Sequence, residues 1–255
     1  MTSGAADRAD RLAELTGRLA AVRTRIAEAC QAAGRPASDV TLVAITKTFP
    51  ASDVVLLASL GVTDFGENRD QEAAPKAAEA AALGVRPRWH FVGQLQVNKV
   101  ASVVRYADVV HSVDRIRLVR ALGSRAESAE RRISCLIQVN LGPGSVSAAR
   151  GGSGSQDDQS RGGARPADVL ALADAIAAEN ALVLGGVMAV APLGAPPGPA
   201  FRRLANIADT IRAVHSGAMM ISAGMSGDLD EAIAEGATHV RVGTALLGGR
   251  PPFVR

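Results

Sequence analysis

The sequence predicts an α/β protein built as a single (β/α)8 TIM barrel with an extra N-terminal helix, and three observations carry that expectation. Eight short apolar runs rich in β-branched residues alternate with helical runs along the chain. Strands covered by helices on their outer face and by one another inside read as continuous apolar segments, which is the pattern of a parallel sheet. Eight such units in 255 residues match the count and length at which that sheet closes into a barrel. A doubly wound open sheet is the rival, but the glycine-rich turn that announces it is missing after the first strand.

In chain order, Leu12, Leu15, Leu19, Val22 and Ile26 recur at alternating three- and four-residue steps. Residues 5–33 are therefore expected to form a helix whose apolar face packs on the protein's own body. Gly34 and Pro36 stop it, so the N-terminal helical region is bounded at residues 1–36. Val40 to Thr46 reads as the first strand and runs into Lys47, after which Thr48-Phe49-Pro50 break it. Ser52 is read as the N-cap of a helix reaching Leu60. Val62–Phe65 is the second strand, and an alanine-rich helix spans Asp70–Ala82. The third strand is Arg88–Val92, a helical stretch covers Val97–Ser102, and Ala107–Ser112 is the fourth strand. A helix from Asp114 to Ser128 leads to the fifth strand, Ile133–Asn140. Residues 142–164 turn to Gly, Ser, Arg, Gln and Asp without any period, which predicts a flexible loop insertion. The remaining units are a helix at Pro166–Glu179, strand Leu182–Val190, helix Pro199–Val214, strand Ala218–Ser222, helix Leu229–Glu235 and strand His239–Val242.

Composition narrows the function classes. Hydrophobic residues make up 47% and charged ones 21%, a globular balance, while aromatics at 3% leave the core to Ala, Val, Leu and Ile. Net charge is +3 without any lysine- or arginine-rich run, so a nucleic-acid surface is not implied. Cys30 and Cys135 are far apart and fit buried small hydrophobes in a reducing compartment. Asp7, Asp10 and Glu14 without an apolar stretch argue against a signal peptide, no apolar run is long enough to span a membrane, and a cytoplasmic protein is expected.

The polar residues fall where a barrel keeps its site, in the loops after the strands. Those positions hold Lys47, Glu67-Asn68, His90, His111-Ser112, Asn140, Met188, Ser222, Met225-Ser226, Arg241 and Gly243-Thr244. Gly224-Met225-Ser226-Gly227-Asp228 precedes a helix, and Gly243-Thr244 follows the last strand. Glycines there let backbone N–H groups approach an anion, and barrels commonly hold phosphate between the loops after strands seven and eight. A lysine across from such a cradle points to a phosphorylated carbonyl compound held as a Schiff base, since a neutral amine is the nucleophile for that linkage. Pyridoxal 5′-phosphate fits this chemistry, and a phosphosugar aldolase fits it almost as well.

A longer set of motifs carries a resemblance. They are Val43-Ala44-Ile45-Thr46-Lys47, Phe65-Gly66-Glu67-Asn68-Arg69-Asp70-Gln71-Glu72 and Trp89-His90-Phe91-Val92-Gly93-Gln94-Leu95-Gln96-Val97-Asn98-Lys99. Further on come His111-Ser112-Val113-Asp114-Arg115, Gly186-Val187-Met188-Ala189, Gly224-Met225-Ser226-Gly227-Asp228-Leu229 and Val240-Arg241-Val242-Gly243-Thr244-Ala245. Together they resemble the pyridoxal phosphate homeostasis protein family, a fold-type III barrel like the N-terminal domain of alanine racemase. The resemblance implies that Lys47 carries the aldimine, that Ser226, Gly243 and Thr244 bind the cofactor phosphate, and that Asn68 and Met225 line the pocket. It also places Arg241 against the pyridine nitrogen. A guanidinium can only donate, so it favours an unprotonated nitrogen and weakens the ring as an electron sink. The family's short element after strand five is matched by Ser160-Arg161-Gly162-Gly163, behind the apparent insertion of Gly142–Gln159.

The implied function is binding of pyridoxal 5′-phosphate in vitamin B6 homeostasis without catalysis. A single-domain amino-acid racemase or lyase is the alternative. Racemases of this fold take a second acid–base group, a tyrosine, from a further β domain. This chain stops at Arg255 soon after Thr244, and its single tyrosine, Tyr106, is expected near the closed end of the barrel. The expected partners are the cofactor and the apo-enzymes that require it, with no nucleic acid, no membrane and no metal, and a monomer is expected.

Overall fold

The computed structural model describes residues 3–142 and 162–249, and within them the eight strands close into one parallel barrel. The strands are β1 (Thr41–Ile45), β2 (Asp64–Glu67), β3 (Arg88–Phe91), β4 (Val109–Val113), β5 (Ile133–Gln138), β6 (Leu182–Met188), β7 (Met220–Ser222) and β8 (His239–Val242). They pair in sequence order, and β8 returns to pair with β1 at Val43↔Arg241 and Ala44↔Val242. Around them lie α1 (Ser3–Ala32), α2 (Ala51–Ser59), α3 (Asp70–Ala82), α4 (Val100–Tyr106), α5 (Ile116–Ser128), α6 (Val169–Ala177), α7 (Pro197–Val214), α8 (Leu229–Ala234) and α9 (Thr244–Leu247).

Strand residues alternate between two surroundings, as the period of two requires. Ala44, Phe65, Trp89, Val240 and Val242 join the apolar layer under the helices on one side, and Val110, Cys135, Ile137 and Val187 do so on the other. Their neighbours point inward, where Val109, Leu136, Met188 and Met220 form a small apolar cluster of their own. The expected helix face of α1 packs inward too. Leu15, Leu19, Val22 and Ile26 are buried against Ile233 of α8 and Leu246 and Leu247 of α9. Cys30 and Cys135 are both free and buried.

Several boundaries move, each for a local reason. Helix α2 ends with Gly61 at φ 81°, whose N–H donates to Ala58 O, while the Val62 N–H donates to Leu57 O. That is a Schellman ending, and it takes Val62 for the helix, so β2 starts at Asp64 rather than Val62. The Ala107 N–H likewise donates to Val103 O, closing α4 and delaying β4 to Val109. Ser52 is not a cap, because the helix already begins at Ala51 with Pro50 before it. The stretch expected to be helical from Val97 is a 3-10 turn at Val97–Lys99 followed by α4. Helix α9 was not expected from the sequence. Of the proposed 142–164 loop, 143–161 lies outside the described residues, and with it Ser160-Arg161. Its ends meet where Ala164 bridges Val139. No helix among the described residues is long and apolar enough to cross a membrane.

Candidate functional site

Lys47 is placed by the alternation of β1. Val43 and Ile45 face inward, where a Cβ on Gly66 would lie 3.1 Å from Val43 Cγ1 and 2.4 Å from Ile45 Cδ1. Thr46 extends the ladder through its N–H to Gly66 O at 3.1 Å and turns outward, its hydroxyl donating to Glu67 Oε1 at 2.7 Å. Lys47 is therefore the next inward residue, at the carboxyl-end mouth where barrel enzymes keep their chemistry. The turn is held on both sides. Lys76 Nζ donates to Thr46 O at 2.7 Å, the Phe49 N–H donates to Thr46 O at 3.0 Å, and the Thr48 N–H donates to Glu72 Oε2 at 3.2 Å. Thr48 adopts φ 70°, uncommon for a β-branched residue and characteristic of strained functional turns. Lys47 itself is half-buried, and its amine makes no hydrogen bond or ion pair among the described residues.

Beneath the turn, Lys76 forms a buried ion pair with Glu67 at 2.5 Å. Burial pushes the Glu67 carboxyl up, and the Lys76 charge opposes that rise. Glu67 was read as a mouth residue, but the structure turns it outward, between the barrel wall and α3.

Arg241 faces inward from β8, in register with Val43. Its Nη1 donates to Ser222 O at 2.8 Å and Ser222 Oγ at 2.6 Å, and its Nη2 donates to Ala189 O at 2.8 Å. A guanidinium has five N–H donors, so Nε–H and one Nη2–H are left over. Burial lowers the Arg241 pKa to about 10, which still leaves it charged at neutral pH. Behind it stands a row of buried polar groups. His111 Nδ1 lies 3.0 Å from Ser222 Oγ, His111 Nε2 lies 2.8 Å from His90 Nδ1, and His90 Nε2 lies 2.8 Å from Asp64 Oδ1. Burial drives the His111 pKa well below its ordinary value, and the nearby His90 and Arg241 push the same way. Burial also lowers His90, although Asp64 opposes it. Burial alone would raise Asp64, but hydrogen bonds from His90 and Thr63 hold it below the usual range. His90 and His111 thus lie inside the strands, not at the rim where they were expected.

Loops seven and eight complete the mouth. Gly224 has φ 87°, and a Cβ there would lie 2.7 Å from Ala232 Cβ, so only glycine fits this turn. The Met225 N–H donates to Asp228 Oδ1 at 2.6 Å, whereas the Ser226 and Gly227 N–H groups have no acceptor among the described residues. Helix α8 starts at Leu229 with Asp228 before it, so Ser226 sits in the loop and not at the helix cap. Arg25 of α1 holds this loop from outside, donating to Ser226 O at 2.6 Å while paired with Asp230. After β8, a Cβ on Gly243 would lie 3.4 Å from Ile45 Cβ and from Ile45 O, which places this residue against the strand carrying Lys47. The Gly243 and Thr244 N–H groups also lack an acceptor among the described residues.

Because β7, β8, β1 and β2 are consecutive around the barrel, the structure brings Ser226, Arg241, Gly243, Thr244 and Lys47 to one end. Asn68 and Met225 are exposed on the rim. Asn68 borders a cleft of about 340 Å³ with Gln94, Lys99 and Arg115. Sequence reading missed Asp64, Lys76 and Arg25. Their signals, an acid opening a strand and two cations on helices, have many ordinary explanations. Tyr106 sits at the end of α4, and its hydroxyl lies 3.5 Å from Asp70 Oδ1, between helices rather than inside the barrel. Among the described residues no cluster of His, Cys, Asp and Glu could hold a metal.

The barrel, the lysine at its mouth and the two glycine-containing loops after the last strands define a class, and comparison with known proteins gives the same one: residues 18–251 match the alanine racemase N-terminal domain. Within that class the chain belongs to the pyridoxal phosphate homeostasis protein family. It is 42% identical over 258 residues to the protein of that name from Mycobacterium tuberculosis (strain ATCC 25618 / H37Rv), spanning 94% of this chain and 95% of the relative. With its namesake from Escherichia coli (strain K12) it shares 33% over 245 residues, 93% and 97% of the two chains. Among solved structures it is similar to PipY of Synechococcus elongatus PCC7942 with PLP bound, at TM-score 0.76 and 32% identity, covering 92% of this chain and 100% of that one. A D-threonine aldolase from Filomicrobium marinum, at 15% identity and TM-score 0.65, shares the fold.

Proposed function

We propose that this protein binds pyridoxal 5′-phosphate in the barrel mouth, attached through Lys47, and serves cofactor homeostasis by holding and releasing it. The observation that carries this reading is the half-buried Lys47, its amine unengaged among the described residues, at the same end of the barrel as the N–H groups of Gly243 and Thr244, which find no acceptor among those residues. When bound, the cofactor supplies an aldehyde open to reversible attack by an amine and a phosphate that takes several donors. The residues fit both needs. Ser226, Gly227, Gly243 and Thr244 offer N–H groups toward an anion, and the glycines keep Cβ atoms out of its way. Arg241, fixed by three carbonyl and hydroxyl contacts, offers its remaining hydrogens to the ring nitrogen. Asn68 and Met225 close the rim. The 2.5 Å pair with Glu67 keeps the Lys76 ammonium away from the aldehyde.

We take the protein to be a non-catalytic carrier and a monomer, delivering cofactor to apo-enzymes. The candidates for a second acid–base partner are engaged elsewhere, Tyr106 with Asp70 and His90 and His111 with the interior row. The test is mixing with pyridoxal 5′-phosphate followed by borohydride reduction and peptide mass mapping. The expected result is one phosphopyridoxyl group on Lys47 and none in Lys47→Ala; a label elsewhere, or none, rejects the reading. Turnover of free amino acids above the Lys47→Ala background would convert the carrier into an enzyme.

A further inference from the structure

We infer that Asp64, on the closed side of the barrel, positions Arg241 through a one-way row of hydrogen bonds made by His90, His111 and Ser222. The direction follows from the two ends alone. A guanidinium has no acceptor, so Arg241 must donate to Ser222 Oγ, at 2.6 Å. An ionised carboxylate has no donor, so His90 Nε2 must carry the hydrogen it places on Asp64 Oδ1, at 2.8 Å. With His90 neutral, its Nδ1 is then an acceptor, and His111 Nε2, 2.8 Å away, must donate to it. That leaves His111 Nδ1 as the acceptor for the Ser222 hydroxyl at 3.0 Å. Every hydrogen in the row points from the mouth toward Asp64, and the Ser222 lone pairs are turned to Arg241.

The row is sealed. His90, His111, Ser222 and Arg241 are all at most 5% exposed, and the apolar cluster of Val109, Leu136, Met188 and Met220 fills the interior beside it. In such a medium aligned hydrogen bonds polarise one another, so the carboxylate at the far end acts on the guanidinium three links away. Reversal would leave the Ser222 hydroxyl facing two donors with its own hydrogen unplaced. The row thus holds the Arg241 plane and draws its charge inward, moderating the donor strength of the Nε–H that these contacts leave over. What that hydrogen meets rests on the pyridoxal phosphate reading; the row itself does not.

Two measurements test this. In cofactor-free protein with ¹⁵N-labelled histidine, NMR should show His90 and His111 as Nε2–H tautomers, and Asp64→Asn, whose amide can donate, should introduce the Nδ1–H form at both. Nδ1–H rings in the unmodified protein overturn the direction, whereas rings unchanged by Asp64→Asn show that Arg241 alone fixes it and overturn the positioning role of Asp64. In protein loaded with pyridoxal 5′-phosphate, Asp64→Asn should shift the absorption maximum and speed release at least about twofold, the lower bound for coupled neighbours. In a Ser222→Ala background the same substitution should do nothing further. An equal effect in both backgrounds would mean that Asp64 acts by general destabilisation, and it would overturn the relay. A protein that fails to take up the cofactor would sink the proposed function while the tautomer result still decides the row.

Discussion

Lys47 and Lys76 show how one residue type is given two fates within a few ångströms. The inward lysine has no hydrogen-bonding or ionic partner among the described residues, whereas the outward one is locked to Glu67 at 2.5 Å and to Thr46 O. Removing one member of a buried pair strands the other charge, so Lys76→Met should cost about 3–5 kcal/mol in denaturant unfolding. Lys47→Ala should leave stability within about 0.5 kcal/mol, because no hydrogen bond or ion pair among the described residues is lost, while abolishing the covalent label. Position at the carboxyl end of a strand was the sequence's ground for expecting Lys47 at the mouth, and it needs no tertiary information. The same reasoning set His90 and His111 at the rim because it gave order along the chain but not height. Height depends on the strand register, and pairs such as Phe91↔Val110 appear only once the sheet is closed.

At the scale of elements, α1 does more than cover the barrel. Its apolar face was legible from spacing, and Leu19→Ala should destabilise the protein by about 2–5 kcal/mol, read from the unfolding midpoint. Its polar face was not legible, because nothing in the order of residues joins Arg25 to Ser226. Arg25→Ala should weaken pyridoxal 5′-phosphate binding roughly fivefold, about one hydrogen bond's worth of loop order. It should cost at most about 1 kcal/mol of stability, since its pair with Asp230 is largely exposed. Helix ends were partly legible. Gly34 takes positive φ where a glycine stop was expected, and Gly61, Gly84 and Gly236 end their helices with positive φ as well. The residues consumed by those endings, such as Val62, are what displaced the strand starts.

For the whole molecule, eight alternating units were sufficient to foresee the closed sheet, but not the mixed filling of its interior. One part is apolar, and another holds His90 with the rings of His111 and His239 centred 5.0 and 6.2 Å from its own. Burial brings the His239 pKa down to about 4 from an ordinary 6.5. Between those values the unfolded chain binds a proton that the folded one refuses, so stability rises with pH there and is lost on acidification. The slope from this residue alone should approach about 1.4 kcal/mol per pH unit, and urea unfolding between pH 6.5 and 4 measures it. His239→Gln should flatten that dependence.

The seam between β1 and β8 joins the beginning of the fold to its end. Lys47 emerges early during synthesis, but the turns proposed to grip the phosphate follow β7 and β8. A growing chain therefore displays a lysine with nothing to orient its aldehyde, and gains its ligand only at the moment the ring locks. Uptake of the cofactor by ribosome-bound lengths of the chain should accordingly switch on in one step, after Thr244 has cleared the exit tunnel.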